Sequence, residues 1–405
     1  MLAVLTPVLD IVRGPIESPG PPRWCHERGW AEFLLQLSDG ELDACERLGL
    51  AGGLAAVAGA PAELLELSSA VQRVTRLPKL LAPKAVLSRE AFQGVRARKR
   101  EQLEVLLGAL KPLAQSAGRI VDVGAGTGHL SRMAAGLFSR ETWALDRDSD
   151  RLRSGKKRNE KRTPSVDESR VHFVQIDVGR QALALEAHDL AIGLHACGEL
   201  GDQLVRVVSS VGCDATLISC CLQKTRADLR SSLSRAAAGL HLERNVLGLT
   251  NLVSRPLGVE ATLAENLAAR ETRLALRYLL AARGFDVGAG EEMRGVNRRR
   301  ARAGLDELAR HALGRSGLPA PTLAELQVHA AQARCDYASM RRLALPRNML
   351  ARLVELAVVL DRAALLEEHG LFVRLAEFVE QSVTPRNTVL FASRQLERLP
   401  LLMQH

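Results

Sequence analysis

Aromatic side chains are scarce in this chain of 405 residues: phenylalanine, tryptophan and tyrosine together make up 3%. Proteins that bind single-stranded nucleic acid stack successive bases on such rings, so their scarcity does not favour that mode of binding. Long apolar runs are also missing, since no stretch approaches the roughly 18 apolar residues of a membrane span. The sequence therefore predicts neither a membrane-spanning segment nor a platform for stacked bases.

A regular cysteine framework is missing as well. The seven cysteines are an odd number without recurrent spacing, and they include no C-x-x-C pair, which favours a reducing compartment over secretion. We therefore expect a cytoplasmic protein of ordinary globular character, with 47% hydrophobic and 25% charged residues. The net charge of +9 makes nucleic acid a partner to consider, although an arginine-rich composition accounts for that charge equally well.

Hydrophobic periodicity changes along the chain and predicts an α/β fold with helical additions. Alternating strands and helices begin at Arg119 and indicate a doubly wound, mostly parallel sheet. An antiparallel pair of strands around Pro385 is expected to extend this sheet. The predicted segments are a helical N-terminal module (1–86), an α/β core (87–225), a helical insertion (226–344) and a last helix and strand hairpin that complete the core (345–405).

Several local features follow from the same patterns. We expect the N-terminal helices to break at Gly52–Gly53, and a longer helix to run from Ser88 to Ala109. The strands are expected to stop after Lys224, and the last helix to end at Gly370. The helix after the first strand is expected to bury one face, formed by Leu130, Met133, Ala134 and Leu137.

The most informative motif is a glycine-rich loop between the first predicted strand and the next helix, with the sequence DVGAGTGH from Asp122 to His129. Glycines permit positive φ and close backbone approach, and the start of a helix offers free amide groups. A dinucleotide fingerprint would place glycine or alanine where His129 stands, whereas G-x-G-x-G after an acidic residue is the form of class I methyltransferases. We therefore predict an S-adenosylmethionine site, with loop contacts at Asp122, Gly124, Ala125, Gly126, Thr127 and Gly128.

Three aspartates near predicted strand ends are candidate partners of this cofactor. Asp146 ends the second strand, where its carboxylate is expected to accept hydrogen bonds from both ribose hydroxyls. Asp177 ends the third strand and is expected to accept the adenine amino group. Asp148, past the end of the second strand, is a weaker candidate. A solvated carboxylate or a helix cap is the alternative interpretation of each.

Histidine and cysteine residues stand at the ends of the fourth and fifth predicted strands. His195 and Cys197 follow the fourth, and Cys220, Cys221 and Lys224 follow the fifth; because these strands are neighbours in such a sheet, their side chains are expected to meet beside the donor methyl group. His195 is a candidate general base and cofactor contact. The cysteines are candidate catalytic residues, metal ligands or small walls of a pocket. Without a C-x-x-C pair, no metal is predicted.

Basic residues cluster in three places. Eight lie between Arg147 and Arg162, and smaller groups surround Lys99 and occupy Arg298–Arg300. No aromatic residue interrupts the eight, so contact with phosphates is the functional interpretation, and a solvated helix face is the alternative.

These motifs resemble those of the methyltransferase-like protein twenty-five family, part of a broader group that includes acceptor-stem tRNA 2′-O-methyltransferases. The resemblance covers roughly residues 95–225 and 345–395, and it rests on RKREQL, VDVGAGTGHLSR, GLHACGEL, SCCLQK, LVELAVVLDRAALLEE and VTPRNTVLFASR. It implies a class I methyltransferase fold and activity. Leu222 and Gln223 depart from the aromatic or histidine residues that relatives tend to carry after the double cysteine. By resemblance, the cofactor contacts are Gly124, Gly126, Gly128 and Asp146, and the acceptor-pocket residues are His195, Cys197, Cys220 and Cys221.

The sequence thus predicts an S-adenosylmethionine-dependent methyltransferase whose acceptor is an RNA of the translation apparatus, tRNA or rRNA. Methylation of a protein side chain is the alternative. An arginine acceptor would need a carboxylate clamp, for which Glu199 and Asp202 are the nearest candidates. A binding protein that keeps the fold without catalysis is a third hypothesis.

Overall fold

The computed structural model of the chain describes residues 1–160, 170–254, 262–381, 383–384 and 386–403. The predicted turn at Pro385 and the last two residues of the long basic run, Lys161 and Arg162, lie outside the described residues, as does the side chain of Arg298.

Helices dominate the first part of the chain, and strands alternate with helices through its middle. The elements, in chain order, are α1 (Leu2–Leu5), α2 (Leu9–Arg13), α3 (Arg23–Glu27), α4 (Ala31–Gln36), α5 (Asp39–Leu48), α6 (Leu50–Leu54), α7 (Ala62–Thr75), α8 (Ala97–Ser116), β1 (Arg119–Val123), α9 (His129–Phe138), β2 (Thr142–Asp146), α10 (Ser149–Glu160), β3 (Val171–Gln175), β4 (Asp189–Cys197), α11 (Glu199–Val211), β5 (Asp214–Cys220), β6 (Leu229–Ser231), β7 (His241–Glu243), α12 (Arg244–Leu249), α13 (Leu263–Ala282), α14 (Leu305–Arg315), α15 (Leu323–Leu343), α16 (Leu345–Met349), α17 (Ala351–Glu368), β8 (Phe372–Glu377) and β9 (Thr388–Ser393).

The chain divides into two compact units. The sheet unit comprises Met1–Leu2, Thr75–Asn251 and Arg352–His405, and the helical unit comprises Ala3–Val74 and Leu252–Ala351. These limits differ from the predicted segment boundaries, which remain predictions. The stretch just before the predicted core and the start of the predicted insertion both group with the sheet unit.

A seven-stranded sheet organises the sheet unit, in the order β3-β2-β1-β4-β5-β9-β8. Strands β1 to β5 pair in parallel, whereas β9 pairs antiparallel with β5 and with β8. The predicted fold, a doubly wound and mostly parallel α/β sheet with an antiparallel C-terminal hairpin, is confirmed. Because β1 lies between β2 and β4, the strand order reverses there, and ligands bind such sheets at the carboxyl ends of the strands beside that point.

Apolar residues cover both faces of this sheet. On one face, Leu106 and Leu110 of α8 belong to the same buried cluster as Ile120 of β1. On the other face, Val205 of α11 clusters with Val121, the next residue of β1. Each fully buried side chain of this kind contributes on the order of 1.5–3 kcal/mol, so the two layers together hold the strand ends in fixed positions.

Three local predictions for the sheet unit are wrong. The helix expected from Ser88 begins at Ala97, because Gly94 adopts a left-handed φ of 78° that a continuous helix excludes. Leu137 is 38% exposed, near the end of a helix whose first seven residues are all buried. Strands do not stop after Lys224: β6 and β7 form a separate antiparallel pair. With three residues each, they are too short to show an alternating pattern.

Glycines account for one predicted helix end and one wrong prediction. Helix α17 ends two residues before Gly370, which adopts a φ of 80°, as expected of a residue that follows a helix. The expected break at Gly52–Gly53 is wrong, since α6 runs through both glycines and the chain turns at Gly49, with a φ of 78°. A Cβ at Gly53 would lie 2.4 Å from the Cα of Cys45, so close packing of α5 and α6 requires glycine there.

Two long helices of the helical unit, α13 and α15, begin with the same tetrapeptide, T-L-A-E. The hydroxyls of Thr262 and Thr322 accept the amides of Glu265 and Glu325, whose carboxylates accept the threonine amides in return. This capping box stabilises a helix start by about 1 kcal/mol. No helix among the described residues is both long and apolar enough to cross a membrane.

Candidate functional site

The loop between β1 and α9 has the backbone that its glycines predict. Gly124, Gly126 and Gly128 adopt φ angles of 80°, 60° and 66°, in the left-handed region that other residues rarely enter. At Gly128 space is needed too, because a Cβ there would lie 2.6 Å from the Phe173 ring. The amide of Gly124 donates to the carbonyl of Leu145 at 2.8 Å. The loop is therefore held against the end of β2.

Asp146 ends β2, as predicted, and is 9% exposed. Its carboxylate accepts the amide of Gly126 at 2.7 Å and the amide of Asp148 at 2.9 Å. Each oxygen keeps acceptor capacity for a ligand hydroxyl. Asp148 instead caps α10, accepting the amides of Asp150 and Arg151, so the helix-cap interpretation holds for that residue.

Asp122 lies beneath the loop, where it is 2% exposed. The hydroxyl of Ser131 donates to its carboxylate at 2.6 Å. Burial raises the pKa of Asp122 to about 6, and the charge of nearby Lys99 opposes that shift. Burial in turn lowers the pKa of Lys99. The basic group around Lys99 is therefore not a uniformly solvated face, since one of its members is partly buried near Asp122.

A cavity of about 520 Å³ opens at the carboxyl ends of β1 to β4, within the range of roughly 300–1,000 Å³ found for small-molecule sites. Its lining includes five predicted site residues, Gly124, Asp146, Asp177, His195 and Cys197. The remaining predicted residues are not part of that lining: Asp122, Ala125, Gly126, Thr127, Gly128, Cys220 and Cys221. Their roles toward a cofactor or an acceptor remain predictions.

Asp177 lines this cavity but does not end β3, which stops at Gln175. The guanidinium of Arg226 donates to both oxygens of Asp177, at 3.3 and 3.4 Å, and to the carbonyl of Gly179. The amide of Arg226 donates to Glu199 at 3.0 Å. Arg226 thus joins two walls of the cavity. Sequence analysis missed it, because 49 residues separate it from Asp177 and no local pattern marks such a partner.

Strand β4 carries a bulge at His195. Its register with β5 shifts between Leu194 and Ala196, so His195 is the extra residue and adopts a φ of 69°. Cys221, just past the end of β5, has a φ of 40°. Among the described non-glycine residues, these are two of the three with positive φ. Such conformations cost about 1–3 kcal/mol each and concentrate at functional sites.

The side chains at the ends of β4 and β5 meet, as expected. The sulfur atoms of Cys197, Cys220 and Cys221 all lie within 4.8 Å of one another. Cys197 and Cys220 are paired residues of the two strands, and their sulfurs are 2.7 Å apart. The thiol of Cys220 also donates to the carbonyl of His195 at 3.3 Å. These contacts form a compact group of sulfurs beside the cavity that Cys197 lines.

Burial and neighbouring charges set the ionisation of this wall. Burial lowers the pKa of His195 to about 4, so its ring is neutral at pH 7. Hydrogen bonds from the other two cysteines lower the pKa of Cys221 to about 2, and the cations Arg386 and Lys224 act in the same direction. Cys221 is therefore the thiol of this group that ionises most readily, and the imidazole of His195 is neutral.

A buried arginine supports this wall from behind. Arg362 of α17 is 1% exposed, and its guanidinium donates to Asp202 at 2.8 Å, to the hydroxyl of Ser219 at 2.6 Å and to the carbonyl of Gly198 at 2.7 Å. Ser219 directly precedes Cys220, and Gly198 directly follows Cys197. The positions of two of the three sulfurs are thus fixed through residues of a helix far along the chain.

Arg230 completes the same network. It donates to Asp202 at 2.8 and 3.1 Å and to Asp361 at 2.8 Å. The carboxylate of Asp202 is therefore bound by two arginines of its own chain, which makes it wrong as a candidate clamp for an arginine acceptor. Glu199, the other candidate, lines the cavity.

Comparison with known proteins finds one family model and several solved structures to which parts of this chain are similar. A family model described as a methyltransferase domain matches residues 98–228. Among solved structures, the chain is similar to a predicted O-methyltransferase, protein Atu636, from Agrobacterium tumefaciens, with 22% identity over 27% of this chain and 60% of that one, and a TM-score of 0.23. It is also similar to an S-adenosylmethionine-dependent methyltransferase from Aquifex aeolicus, with 15% identity over 32% of this chain and 70% of that one, and a TM-score of 0.26.

A third similar structure is magnesium protoporphyrin IX methyltransferase from Synechocystis PCC 6803, with 14% identity over 37% of this chain and 65% of that one, and a TM-score of 0.25. The chain spans 60% of the length of the Agrobacterium protein. The matched segment, 98–228, contains the glycine loop, Asp146 and the three clustered cysteines. This part of the chain matches a methyltransferase domain, in agreement with the predicted enzyme class and with S-adenosylmethionine, the methyl donor predicted for it.

Proposed function

We propose that this chain transfers the methyl group of S-adenosylmethionine to an RNA acceptor. The observation that supports the donor half of this proposal is the hydrogen bond between the glycine loop and Asp146. Gly124 of that loop and Asp146 belong to the lining of the same cavity. In this proposal the loop at Gly124 receives the amino-acid end of the donor, and Asp146 accepts its ribose hydroxyls.

The donor supplies an electrophilic methyl group on a sulfonium. What the protein contributes is the positions of the reactants. The wall at the ends of β1 and β2, the donor wall, holds S-adenosylmethionine, and the wall at the ends of β4 and β5, the acceptor wall, holds the acceptor group. Holding two reactants in line accounts for up to about 7–11 kcal/mol of barrier reduction in favourable cases. In this proposal His195, which lines the cavity with a neutral ring, contacts the acceptor group.

Exposed basic residues support RNA as the acceptor. On α10, a row of arginines and lysines is exposed, and two residues of this region, Arg147 and Arg151, line the cavity itself. Basic groups that track a phosphate backbone give affinity without requiring aromatic rings. The exposed residues of α10 are Arg151, Arg153, Lys156, Lys157 and Arg158.

The helical unit contains a second basic surface. A cavity of about 350 Å³ is lined by four arginines and two asparagines, a donor-rich composition that suits phosphate oxygens. It includes Arg299, from the third basic group that the sequence shows. The residues are Arg270, Arg273, Arg299, Arg302, Asn266 and Asn297.

Methylation of a protein side chain is the weaker proposal. Of its two predicted clamp carboxylates, Glu199 lines the cavity but already accepts the amide of Arg226, and Asp202 is bound by two arginines. Membership of the methyltransferase-like protein twenty-five family, a tRNA or rRNA target and a cytoplasmic location remain predictions from the sequence.

Calorimetric titration tests the donor half of the proposal. We expect the full chain to bind S-adenosylmethionine and S-adenosylhomocysteine and to give no heat with NAD. Binding of NAD, or of neither ligand, would reject the assignment of the cavity. Binding of the donor without any methyl transfer to an extract would instead favour a non-catalytic binding protein.

Methyl-labelled donor tests the acceptor half. After incubation with a cell extract, label in macromolecules is expected to be released by ribonuclease and retained after protease treatment. The opposite sensitivities would replace RNA by a protein acceptor. A variant with Lys156, Lys157 and Arg158 changed to alanine is expected to bind donor normally and to label RNA more weakly. As the salt concentration rises, RNA labelling should fall more steeply in the wild type than in this variant.

A further inference from the structure

The three clustered cysteines differ from the other cysteines of the described chain. Cys197, Cys220 and Cys221 come from two neighbouring strand ends and bring three sulfurs within 4.8 Å of one another. The others lie apart, three of them buried and one exposed. They are Cys25, Cys45, Cys213 and Cys335. Buried cysteine is common as a small apolar residue, so the question is what distinguishes three that converge.

Backbone strain is the first distinguishing observation. Cys221 adopts a φ of 40°, and the bulge before Cys197 gives His195 a φ of 69°. A wall of small apolar residues needs neither conformation, since unstrained strand ends would form it equally well. Strain of this kind persists where the surrounding structure fixes it for a function. Here it turns the last residues of both strands toward a common point.

The spacing of the sulfurs is the second observation. Thiolates that share one zinc ion at about 2.3 Å in tetrahedral geometry lie about 3.8 Å apart, and the three sulfurs of this cluster all lie within 4.8 Å of one another. Cys197 and Cys220, whose sulfurs are 2.7 Å apart, are closer than two ligands of one ion would be. Binding would therefore spread that pair by side-chain rotation, with the third sulfur already within reach.

Nearby polar groups are the third observation. Lys224 and Arg386 lie close enough to Cys221 to act on its charge, and two cations offset the excess negative charge of three thiolates around a divalent ion. The amide oxygen of Gln223 is buried and has no hydrogen-bond donor among the described residues. Buried acceptors of this kind normally have a donor, so this one, two residues past Cys221 in the chain, leaves room for a water or a ligand.

We propose that Cys197, Cys220 and Cys221 bind one Zn²⁺ ion, with a fourth coordination position on the side of the cavity that Cys197 lines. Three protein ligands with an open fourth position are the pattern of catalytic rather than structural zinc. The metal site itself does not depend on the proposed function. Its role rests on that function: a zinc ion there would bind the acceptor group and ease loss of its proton.

Metal analysis of the purified full chain tests this site directly. The protein should carry a tag without histidine, be reduced with a phosphine and be dialysed against zinc before elemental analysis. We expect about one zinc per chain in the wild type and in the control variants Cys335→Ser and Cys213→Ala. Loss of the zinc is expected in Cys197→Ser, Cys220→Ser and Cys221→Ser. Cobalt in place of zinc should give thiolate-to-metal charge-transfer bands in the wild type and the two control variants, and not in the three variants of the clustered cysteines.

A second measurement uses the wild type and so does not depend on the folding of variants. Alkylation of each cysteine, followed by mass spectrometry with and without zinc, should show protection of the three clustered cysteines and unchanged labelling of Cys335. Three results would each overturn the proposal. They are absence of bound metal, zinc that binds without protecting these cysteines, and a Cys197–Cys220 disulfide in a protein that binds no metal after reduction.

Donor binding separates this proposal from the proposed function. Because Asp146 and the glycine loop lie on the other wall, chelator-treated protein is expected to bind S-adenosylmethionine as tightly as the zinc-loaded protein does. Donor binding without zinc binding rejects the metal site alone, whereas zinc binding without donor binding rejects the methyltransferase proposal alone.

Discussion

The two walls of the cavity are built by different means. The donor wall, at the ends of β1 and β2, reaches its left-handed backbone through glycines and fixes it by local hydrogen bonds, of which the one from Gly126 to Asp146 spans 20 residues. The acceptor wall reaches the same region of backbone with His195 and Cys221, and arginines far along the chain hold it. On the proposed function, the cofactor would bind against the wall of low strain and the acceptor against the strained wall.

The largest expected effect is a loss of stability when the support of the acceptor wall is removed. Arg362→Met removes the donor to Asp202, Ser219 and Gly198, and leaves a buried carboxylate with one partner. We expect a loss of about 3–5 kcal/mol in the free energy of unfolding, as for other broken buried ion pairs, measured by urea denaturation. Lys84→Met, which breaks an exposed pair with Glu101, is the control and should cost less than about 1 kcal/mol. Equal losses in the two variants would contradict the supporting role of Arg362.

A pH-dependent change of about 3 kcal/mol in the free energy of unfolding is expected from Asp122, next to the donor wall. Because burial raises the folded-state pKa of Asp122 to about 6 from an ordinary 3.8, its contribution to stability is fully present below about pH 4 and is lost as pH rises through 6. Asp122→Asn removes this titration. The stability of the variant relative to the wild type should therefore rise by about 3 kcal/mol, some two pKa units, between pH 4 and pH 7. A difference that does not change with pH would show that Asp122 is ionised without penalty.

A smaller effect, on donor affinity, is expected from Asp146→Ala. Loss of a carboxylate that binds hydroxyls costs about 1.5–3 kcal/mol, so S-adenosylmethionine should bind at least about tenfold more weakly by calorimetry. Asp148→Ala is the matched control: its carboxylate caps α10 and does not line the cavity, so it should lower stability by about 1 kcal/mol and leave donor affinity unchanged. Unchanged affinity in Asp146→Ala would remove the ribose site from this wall.

The smallest expected effects distinguish two glycines on the donor side. Gly126 and Gly136 both have open space where a Cβ would be, but Gly126 has a φ of 60° and Gly136 lies within α9. Gly126→Ala is expected to cost about 1–2 kcal/mol through left-handed strain, and Gly136→Ala to gain about 0.5–1 kcal/mol, which melting temperatures would show. Effects of the same sign would mean that the loop changes its backbone to accept alanine.

The donor wall was also the part that sequence analysis predicted best. Its signals are local: the glycine spacing from Gly124 to Gly128 and an aspartate at the end of the next strand place the loop and Asp146 correctly. The mostly parallel sheet followed for a similar reason, since apolar runs separated by helices leave few other arrangements. Even the convergence of His195 with the cysteines needed only the neighbouring positions of two strands.

The features that were missed depend on partners distant in sequence. Nothing near Arg230 or Arg362 indicates that both will bind Asp202, and Arg226 was passed over for the same reason. The partial burial of Lys99 was not predicted, because a row of basic residues does not show which one turns inward. The short strands β6 and β7 carry too few residues for a period to appear. In each case tertiary contacts decided what local pattern could not.

The support of the acceptor wall has a consequence for the order in which the protein is made. Arg362 stands 160 residues after Asp202, and Asp361 stands 131 residues after Arg230. During translation the glycine loop and Asp146 are therefore made well before the partners of Asp202 and Arg230 on α17. That helix is synthesised only after the whole of residues 252–351. In a nascent chain, the residues proposed to bind the donor would therefore be present well before Arg362 fixes the acceptor wall.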